Sequence, residues 1–490
     1  MSDYSFVYSK EKAEYENQKH KIYGIKIKND EPTANVIRIA DAKGLVAKYG
    51  NDSEIGEPVN DFDNLYPWKN EFTKDIYGNE FRKIRLFFVK FVYGKKWTKI
   101  YISMTKHDSD WFSLPCFTDY SKTELDENGH EQFALLPYVE IGRYLASYSE
   151  DGAERLESKA DRYVRAHISR TQSRAAAQKN NSTDLNTSGY QIEDMSTLFA
   201  LQAMFMIEYA TINGQGTTEH PGMQGSVNLT NSTERPVIDE TATNRIVVKK
   251  SSNTDKLATE GATILLTTNS DPSVYGSLKF PAREIVSVLE CDETGELTVG
   301  GNHYAIYFEG DPVDVAKTDY AVNASYKTGF SHLIDGSSGH IGLNDGKTPM
   351  MYRGIESFWG DIWRWIDGVN FNNSDIWVCN DASKYTDNKF VGPDYEKLSF
   401  KRPPEDGYIK TMGYDPNYPH VFYPEEKGAT SSTYFADMTY SRSEGQRALR
   451  AGGYWYTGAY AGPFALSSLY AASSAYSPSG CRLVRKALSA

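Results

Sequence analysis

A long uncharged segment near the C-terminus limits what this part of the chain can fold into. Residues 451–481 contain no charged side chain, and 22 of the 29 residues in 452–480 are Gly, Tyr, Ser or Ala. A buried segment needs many large aliphatic residues, but only Leu466 and Leu469 are present. A flexible linker has Gly and Ser without Tyr. Mixtures of Tyr, Ser and Gly are typical of binding loops, in which rigid aromatic rings supply contact area at low entropy cost. The composition therefore favours a binding surface.

The composition of the whole chain is that of a globular protein. Of its 490 residues, 40% are hydrophobic and 24% are charged. At roughly 100 to 200 residues per domain, this length predicts two to four domains. The net charge of −12 opposes nucleic-acid binding, because that function needs clustered Lys and Arg against the phosphates. Tyrosine outnumbers phenylalanine by 35 to 22, and its apolar ring with a polar tip suits half-exposed recognition surfaces.

The sequence has no motif for catalysis or for binding a metal or cofactor. No GxxxxGK(S/T), GxGxxG, HExxH or GxSxG run occurs, and the nine histidines are scattered. The four cysteines are far apart, form no CxxC pair and are expected to be small buried hydrophobes: Cys116, Cys291, Cys379 and Cys481. We therefore expect a protein that is not an enzyme, with no catalytic residue, no metal and no cofactor.

The N-terminal residues lack the apolar stretch of a signal peptide. The most apolar run of the chain, residues 198–210, is too short for a membrane span and is interrupted by Gln202 and Glu208. We therefore expect a protein that is made in a cytoplasm and does not insert into a membrane.

Changes in composition divide the chain into four parts. Residues 1–22 are predicted to be an N-terminal arm, and residues 23–215 the first part of a main domain with a β-rich start. Residues 216–335 contain five short strand patterns and are predicted to be an inserted small β domain. Residues 336–490 complete the main domain and include the segment 452–480, which is uncharged. Helices are predicted within residues 150–181 and at 191–211, and a β-hairpin at 84–103.

Two segments carry the most specific patterns. The first is WGDIWRW at residues 359–365, in which two tryptophans alternate about an arginine and so point to one face of a strand. This run resembles the Gly-Asn-Val-Trp-Glu-Trp signature of the formylglycine-generating-enzyme-like branch of the C-type lectin fold, with Asp361 in place of Asn.

The second segment is RALRAGGYW at residues 447–455, followed by SGCRLV at 479–484. It is similar to the Leu-Arg-Gly-Gly-x-Trp and Gly-Phe-Arg ending of the same fold, with Ala451 as an extra residue and Cys481 in place of Phe. The resemblance implies the α+β class, as a C-type lectin-like fold with a β-rich N-terminal part and the inserted small β domain. It also implies a set of scaffold residues: Gly360, Trp363, Trp365, Gly453, Trp455, Gly480 and Arg482.

Residues 452–480 resemble the variable region of proteins diversified by retroelements, in which template codons, mostly for Asn, are randomised. Tyr and Ser are among the direct replacements of a mutated Asn codon. The resemblance implies that nine residues contact the ligand: Tyr454, Tyr456, Thr457, Tyr460, Ser467, Ser468, Tyr470, Ser474 and Tyr476. Four other stretches, at residues 23–27, 60–68, 140–144 and 207–211, look like segments of phage tail-tip or receptor-binding proteins.

These resemblances imply a phage tail adhesin or host-receptor-binding protein with a hypervariable surface. Its partner would be a host cell-surface protein or glycan, and its location a phage tail in the virion or a bacterial cell surface. Assembly as a homo-trimer or on a multivalent tail would raise avidity. Two alternatives stay open. One is a fixed carbohydrate- or protein-binding C-type lectin-like module, and the other is a formylglycine-generating-type oxidase, for which the required cysteine pair or His/Glu metal set is missing.

Overall fold

The protein is mostly β-structure. The computed structural model describes residues 11–33, 35–47, 60–126, 128–182, 189–214, 233–270, 278–329, 338–339, 349–388, 392–455, 457–475 and 478–486. Strands make up 38% of the structure and helices 12%. The expected α+β, C-type lectin-like fold class is therefore wrong, because strands far outnumber helices in every part of the chain.

In its described residues, the N-terminal region contains strands β1 to β13 and three α-helices. The strands are β1 (Tyr23–Lys28), β2 (Val36–Ala40), β3 (Phe72–Lys74), β4 (Glu80–Arg85), β5 (Phe88–Tyr93), β6 (Trp97–Ser103), β7 (Phe112–Ser113), β8 (Thr118–Leu125), β9 (Glu131–Leu135), β10 (Tyr138–Gly142), β11 (Ser147–Tyr148), β12 (Leu156–Glu157) and β13 (Tyr190–Ile192). The helices are α1, described over residues 11–18, α2 (Arg170–Gln178) and α3 (Met195–Tyr209).

The middle region forms its own sheets. Its elements are β14 (Thr233–Glu234), β15 (Glu240–Thr243), β16 (Arg245–Lys249), α4 (Thr254–Leu257), β17 (Thr263–Thr267), β18 (Leu278–Cys291), β19 (His303–Phe308), β20 (Val313–Val315) and β21 (Tyr320–Ala324). Six strands pair in the order β14-β21-β17-β18-β19-β16, and β15 pairs with β20. Among the described residues these strands pair only with one another, but Ile362 and Trp455 of the C-terminal region join their core.

The C-terminal region contains strands β22 to β34. They are β22 (Ser338–Gly339), β23 (Met351–Tyr352), β24 (Ile355–Glu356), β25 (Trp363–Asn372), β26 (Asp375–Val378), β27 (Glu396–Lys401), β28 (Gly407–Met412), β29 (Pro424–Lys427), β30 (Met438–Tyr440), β31 (Gln446–Ala451), β32 (Leu466–Ser467), β33 (Ser479–Gly480) and β34 (Leu483–Lys486). The largest sheet follows the nearly closed path β27-β26-β25-β31-β32-β30-β28-β29, with β33 beside β25.

The end of the chain is built into the N-terminal region. Two five-stranded sheets lie in the N-terminal region, in the orders β2-β1-β6-β5-β7 and β13-β34-β10-β4-β3, besides the two-stranded sheets β8-β9 and β11-β12. In the second sheet, Val484 of β34 lies opposite Ile141 on one side and Gln191 on the other. The regions 23–215 and 336–490 therefore share a sheet, and their side chains share one core.

The helix predicted at residues 191–211 is confirmed as α3, and all of its side chains are buried. Asp194 caps its first turn, since its carboxylate accepts a hydrogen bond from the backbone N–H of Thr197 at 2.8 Å. A buried carboxylate needs a partner. Near the end of α3, Glu208 forms an ion pair with Arg353, and both side chains are fully buried. Among the described helices, none combines the length and the apolar character that crossing a membrane requires.

Within residues 150–181, where helices were predicted, the described residues contain a single α-helix, α2. Three residues before it have left-handed backbone angles: Glu154 (φ 53°), Asp161 (φ 55°) and His167 (φ 55°). An α-helix cannot continue through such a residue. Helix α2 begins only after them, at a capping box formed by Ser169 and Gln172.

Candidate binding surface

One face of the largest sheet is rich in aromatic side chains. The register of its strands determines which residues lie on that face. Trp365 of β25 lies opposite Arg450 of β31, and Arg450 lies opposite Ser467 of β32. Ser467 in turn pairs with Tyr440 of β30. Residues paired across neighbouring strands project to the same side, so these four side chains share what we call the outer face. Tyr408 of β28 joins them, because its partner on β30 is two residues from Tyr440.

The other face of the sheet is sealed against the main core. Ile366 lies opposite Leu449, and Leu466 is on the same side. All three belong to the core cluster that contains the side chains of α3. The outer face is also packed at Trp365, which is buried in a second cluster with Phe81 and Leu156 of the N-terminal region. Its accessible part is the part beside the loops that follow β31 and β32.

Arg450 is the centre of the outer face. Its guanidinium carbon lies 5.3 Å from the ring centroid of Trp363, 5.4 Å from that of Trp365 and 4.2 Å from that of Tyr470. Its Nη1 donates a hydrogen bond to Ser479 Oγ at 2.7 Å. A cation against several ring faces is attracted by each of them. The prediction that the two tryptophans point to one face is confirmed.

Five tyrosines surround this centre, and we call them the tyrosine surface: Tyr408, Tyr440, Tyr454, Tyr460 and Tyr470. Tyr440 packs edge-on against Trp363, with centroids 5.8 Å apart and planes at 89°. The rings of Tyr408 and Tyr460 are 5.7 Å apart. Burial raises the pKa of Tyr440, and the nearby Tyr454 raises it further. The Tyr440 hydroxyl therefore stays protonated at neutral pH and can donate a hydrogen bond.

These five tyrosines differ in how much of the side chain is exposed. Tyr460 is 45% exposed, and Tyr408, Tyr440, Tyr454 and Tyr470 are half-buried. A half-buried ring is already held by its neighbours, so it loses little side-chain entropy when a ligand covers it. The surface therefore combines one exposed ring with four partly fixed ones.

Charged side chains near the tyrosine surface are paired with one another. Arg442 forms an ion pair with Asp406, and Lys427 forms one with Glu405. Asp406 also accepts a hydrogen bond from the backbone N–H of Ser441 at 2.8 Å. Because the tyrosines themselves are neutral and these charges are paired, the surface suits contacts with rings and hydroxyl groups more than with ions.

The loop after β31 has a glycine-dependent frame. Gly453 has a φ of +80°, and a Cβ there would lie 2.7 Å from the Cβ of Ala461. Both the backbone angle and the space therefore require glycine. Two residues later, Trp455 is buried, and its backbone N–H donates to Asp361 O at 2.9 Å. This anchor holds the exposed part of the loop against the core of the middle region.

The remaining predicted scaffold residues have structural roles. Trp365 Nε1 donates to Ile168 O at 2.7 Å. Arg482 is fully buried and donates to three backbone carbonyls, those of Gly142, Glu356 and Ser357. Its guanidinium ties the start of β34 to the end of β10 and to the end of β24.

The two other glycines of that set lie where chains come close together. Gly360 has a φ of +92°, and its N–H donates to Gly452 O at 3.0 Å. A Cβ on Gly480 would lie 3.0 Å from Arg165 O. The backbone angle favours glycine at position 360, and the space at position 480 leaves little room for a side chain.

The nine predicted ligand-contacting residues do not share one environment. Tyr454, Tyr460, Tyr470 and Ser474 have exposed or half-buried side chains. Thr457, Ser467 and Ser468 are only 6%, 1% and 0% exposed, so the prediction that they touch a ligand is corrected. Tyr456 and Tyr476 lie outside the described residues.

The buried residues of that set bond within the fold. Thr457 Oγ1 accepts from the backbone N–H of Tyr454 at 2.9 Å. Ser468 Oγ accepts from Arg402 and lies 3.0 Å from the hydroxyl of Tyr423. These hydrogen bonds stabilise, from the buried side, the backbone that carries the exposed tyrosines.

Sequence reasoning missed two members of the tyrosine surface, Tyr408 and Tyr440. They precede the uncharged segment in the chain, and long-range pairing of β28, β30 and β32 brings them beside it. No strict alternation in β28 marks Tyr408, since Gly407 and Tyr408 are both half-buried and Ile409 is buried.

The four cysteines are all free and buried, as predicted. Burial raises the pKa of Cys116 and of Cys481 to about 12, and that of Cys379 to about 11. Within the described part of the chain, no three His, Cys, Asp or Glu side chains gather so that they could hold a metal ion.

No protein-family model matches this chain, and no curated protein matches it. The geometry of the tyrosine surface is therefore the basis on which a function can be proposed.

Proposed function

We propose that this protein binds a protein or glycan on the surface of a host cell through its tyrosine surface. In this proposal the protein is a receptor-binding component of a phage tail or of a bacterial cell surface, and it has no catalytic role. The observation that carries the proposal is the exposed ring of Tyr460, which packs at a tilt against Tyr408 in a loop whose glycine and tryptophan are needed by the fold.

The loop after β31 contains residues that fix its backbone and other residues that are accessible to a ligand, and this division supports the proposed function. A binding loop must present side chains without changing shape when those side chains change. Here Gly453 and Trp455 hold the backbone through steric and packing requirements. Tyr454 and Tyr460 project from the same loop with exposed or half-buried rings. Aromatic residues of this kind supply most of the binding energy in protein interfaces.

We further propose that a retroelement diversifies the exposed positions of this loop. Sequencing the 3′ end of the gene across a population tests this. We expect substitutions at Tyr454, Tyr460, Tyr470 and Ser474, with Gly453 unchanged. An invariant 3′ end would contradict diversification and would favour a fixed binding module that uses the same surface.

The binding function is tested with fluorescently labelled protein on a panel of intact bacterial strains. We expect wild-type protein to stain at least one strain, and Tyr460→Ala to lower the apparent affinity about tenfold. Tyr93→Ala is the matched control, since Tyr93 is 47% exposed and is stacked on Tyr414 with centroids 4.7 Å apart. It should bind like wild type.

Thermal unfolding of both variants shows whether the fold is retained, because neither residue is in the core. Wild-type protein that stains no strain, or a Tyr460→Ala variant that binds like wild type, would overturn the proposal. Equal losses for Tyr460→Ala and Tyr93→Ala would also contradict it, since the effect would then not belong to the tyrosine surface.

A further inference from the structure

A second groove, separate from the tyrosine surface, lies beside the β8–β9 hairpin. Its volume is about 1170 Å³, and it is lined by residues 106–113, by the hairpin and by the loops that carry Asn380 and His420. No described residue of the tyrosine surface lines it. The two sites can therefore be tested independently.

Aromatic rings line this groove in two pairs. Tyr120 and Phe133 have ring centroids 4.9 Å apart with planes at 57°, and Phe133 is 46% exposed. His107 and Trp111 have centroids 5.1 Å apart. Leaving a large apolar ring in water is unfavourable, and an exposed ring in a concave site is typical of ligand contact.

Polar groups beside the rings are held on ordered loops. Asp108 and Asp110 share Lys90, at 2.9 Å and 3.0 Å from its Nζ. Asp126 Oδ1 accepts from the backbone N–H of Asn128 at 2.9 Å and from that of His130 at 2.8 Å. The carboxylates thus fix the backbone of the segments that line the groove.

Asn380 is oriented by a neutral histidine. Burial lowers the pKa of His420 to about 4, so its ring is uncharged at neutral pH. His420 Nε2 lies 3.1 Å from Asn380 Oδ1. An amide oxygen can only accept a hydrogen bond, so His420 is the donor in this bond. The NH₂ group of Asn380 is then the hydrogen-bond donor that its side chain can offer to a ligand in the groove.

We propose that this groove binds a neutral oligosaccharide. The C–H face of a sugar ring is apolar and packs on aromatic rings such as Phe133, and its hydroxyl groups bond to carboxylates and amides such as Asn380. Three carboxylates, those of Asp108, Asp110 and Asp126, line the groove with one cation, Lys106, so they are in excess even though Lys90 pairs with two of them. Like charges repel, so sialylated, uronic and sulfated glycans should bind more weakly than neutral ones.

The test is a glycan array that carries neutral and acidic oligosaccharides, probed with the labelled full chain. Neutral glycans that bind are then titrated by calorimetry. We expect Phe133→Ala to weaken binding about tenfold, and Asn380→Ala to weaken it also.

Leu125→Ala is the matched control, because Leu125 is 70% exposed on the same hairpin but does not line the groove. It should bind like wild type, and so should Tyr460→Ala. Binding of acidic glycans alone, or of no glycan, would overturn the proposal. Neutral-glycan binding that is lost in Tyr460→Ala and kept in Phe133→Ala would assign the sugar to the tyrosine surface instead.

Discussion

Trp365 and Arg450 lie directly opposite each other on neighbouring strands, and the Arg450 guanidinium is 5.4 Å from the ring centroid of Trp365. Trp365 is fixed to the N-terminal region through its hydrogen bond to Ile168 O. Arg450 lies 4.2 Å from the ring of Tyr470 on the tyrosine surface. The pair therefore connects the position of a half-buried tyrosine of the tyrosine surface to the packing of the N-terminal region.

Arg450→Ala should destabilise the protein by about 3 kcal/mol, since it removes a buried cation from its rings and its hydrogen bond to Ser479. Urea unfolding measures the loss. Arg442→Ala is the control, because the Arg442 side chain is 66% exposed in an ion pair with Asp406. Exposed pairs contribute little, so its effect should stay below about 1 kcal/mol. Similar losses in both variants would show that the rings do not hold Arg450.

Gly453→Ala should be more destabilising than Gly458→Ala. Both glycines have a positive φ, +80° and +56°, but only Gly453 would place its Cβ within 4 Å of other atoms. Gly458→Ala therefore costs about 1 kcal/mol for the backbone angle alone. Gly453→Ala adds a steric clash with Ala461 and should cost about 2 kcal/mol more. Chemical unfolding of the two variants gives the comparison, and equal losses would contradict the assigned role of Gly453.

Local patterns predicted individual elements better than the fold class. Strands β16 and β17 lie in residues 216–335, where short strand patterns were predicted, and α3 follows its apolar spacing. These signals lie within a few residues of one another. The left-handed angles at Glu154, Asp161 and His167 had no comparable signal, because none of these residues is glycine. Helix content was overestimated there.

The site was predictable from composition only in part. The uncharged segment indicated a surface rich in tyrosine, and Tyr454 and Tyr460 are exposed or half-buried. Ser467 and Ser468 are buried because strand pairing places them against Arg450 and Arg402. That pairing joins residues far apart in the chain, so the sequence near the serines does not show it.

The four cysteines should be unreactive in the folded protein. The thiolate is the nucleophile that attacks a thiol reagent, and burial raises the pKa of all four thiols, those of Cys116, Cys291, Cys379 and Cys481. Ellman's reagent at mildly alkaline pH should therefore label no cysteine rapidly, and all four after denaturation in guanidinium. One fast-reacting thiol in the native protein would contradict this and would reopen the oxidase alternative.

Asp361 joins the middle region to the loop of the tyrosine surface. Its carboxylate accepts from Ser325 Oγ at 2.7 Å and from Ser357 Oγ at 3.1 Å. Its backbone oxygen accepts from the N–H of Trp455. Burial raises the pKa of Asp361 to about 6, against about 3.9 for an unfolded chain.

The stability that Asp361 contributes should therefore decrease as the pH rises. The folded state favours the protonated form, so the contribution is fully present below about pH 4 and is lost as the pH rises through about 6. Asp361→Asn stays neutral at every pH. Its free energy of unfolding relative to wild type should rise by about 2 kcal/mol between about pH 4.5 and about pH 7.5. Guanidinium unfolding of both proteins at the two pH values measures this, and comparing the two proteins cancels the other titrating groups. A difference that does not change with pH would mean that the folded protein leaves Asp361 with an ordinary pKa.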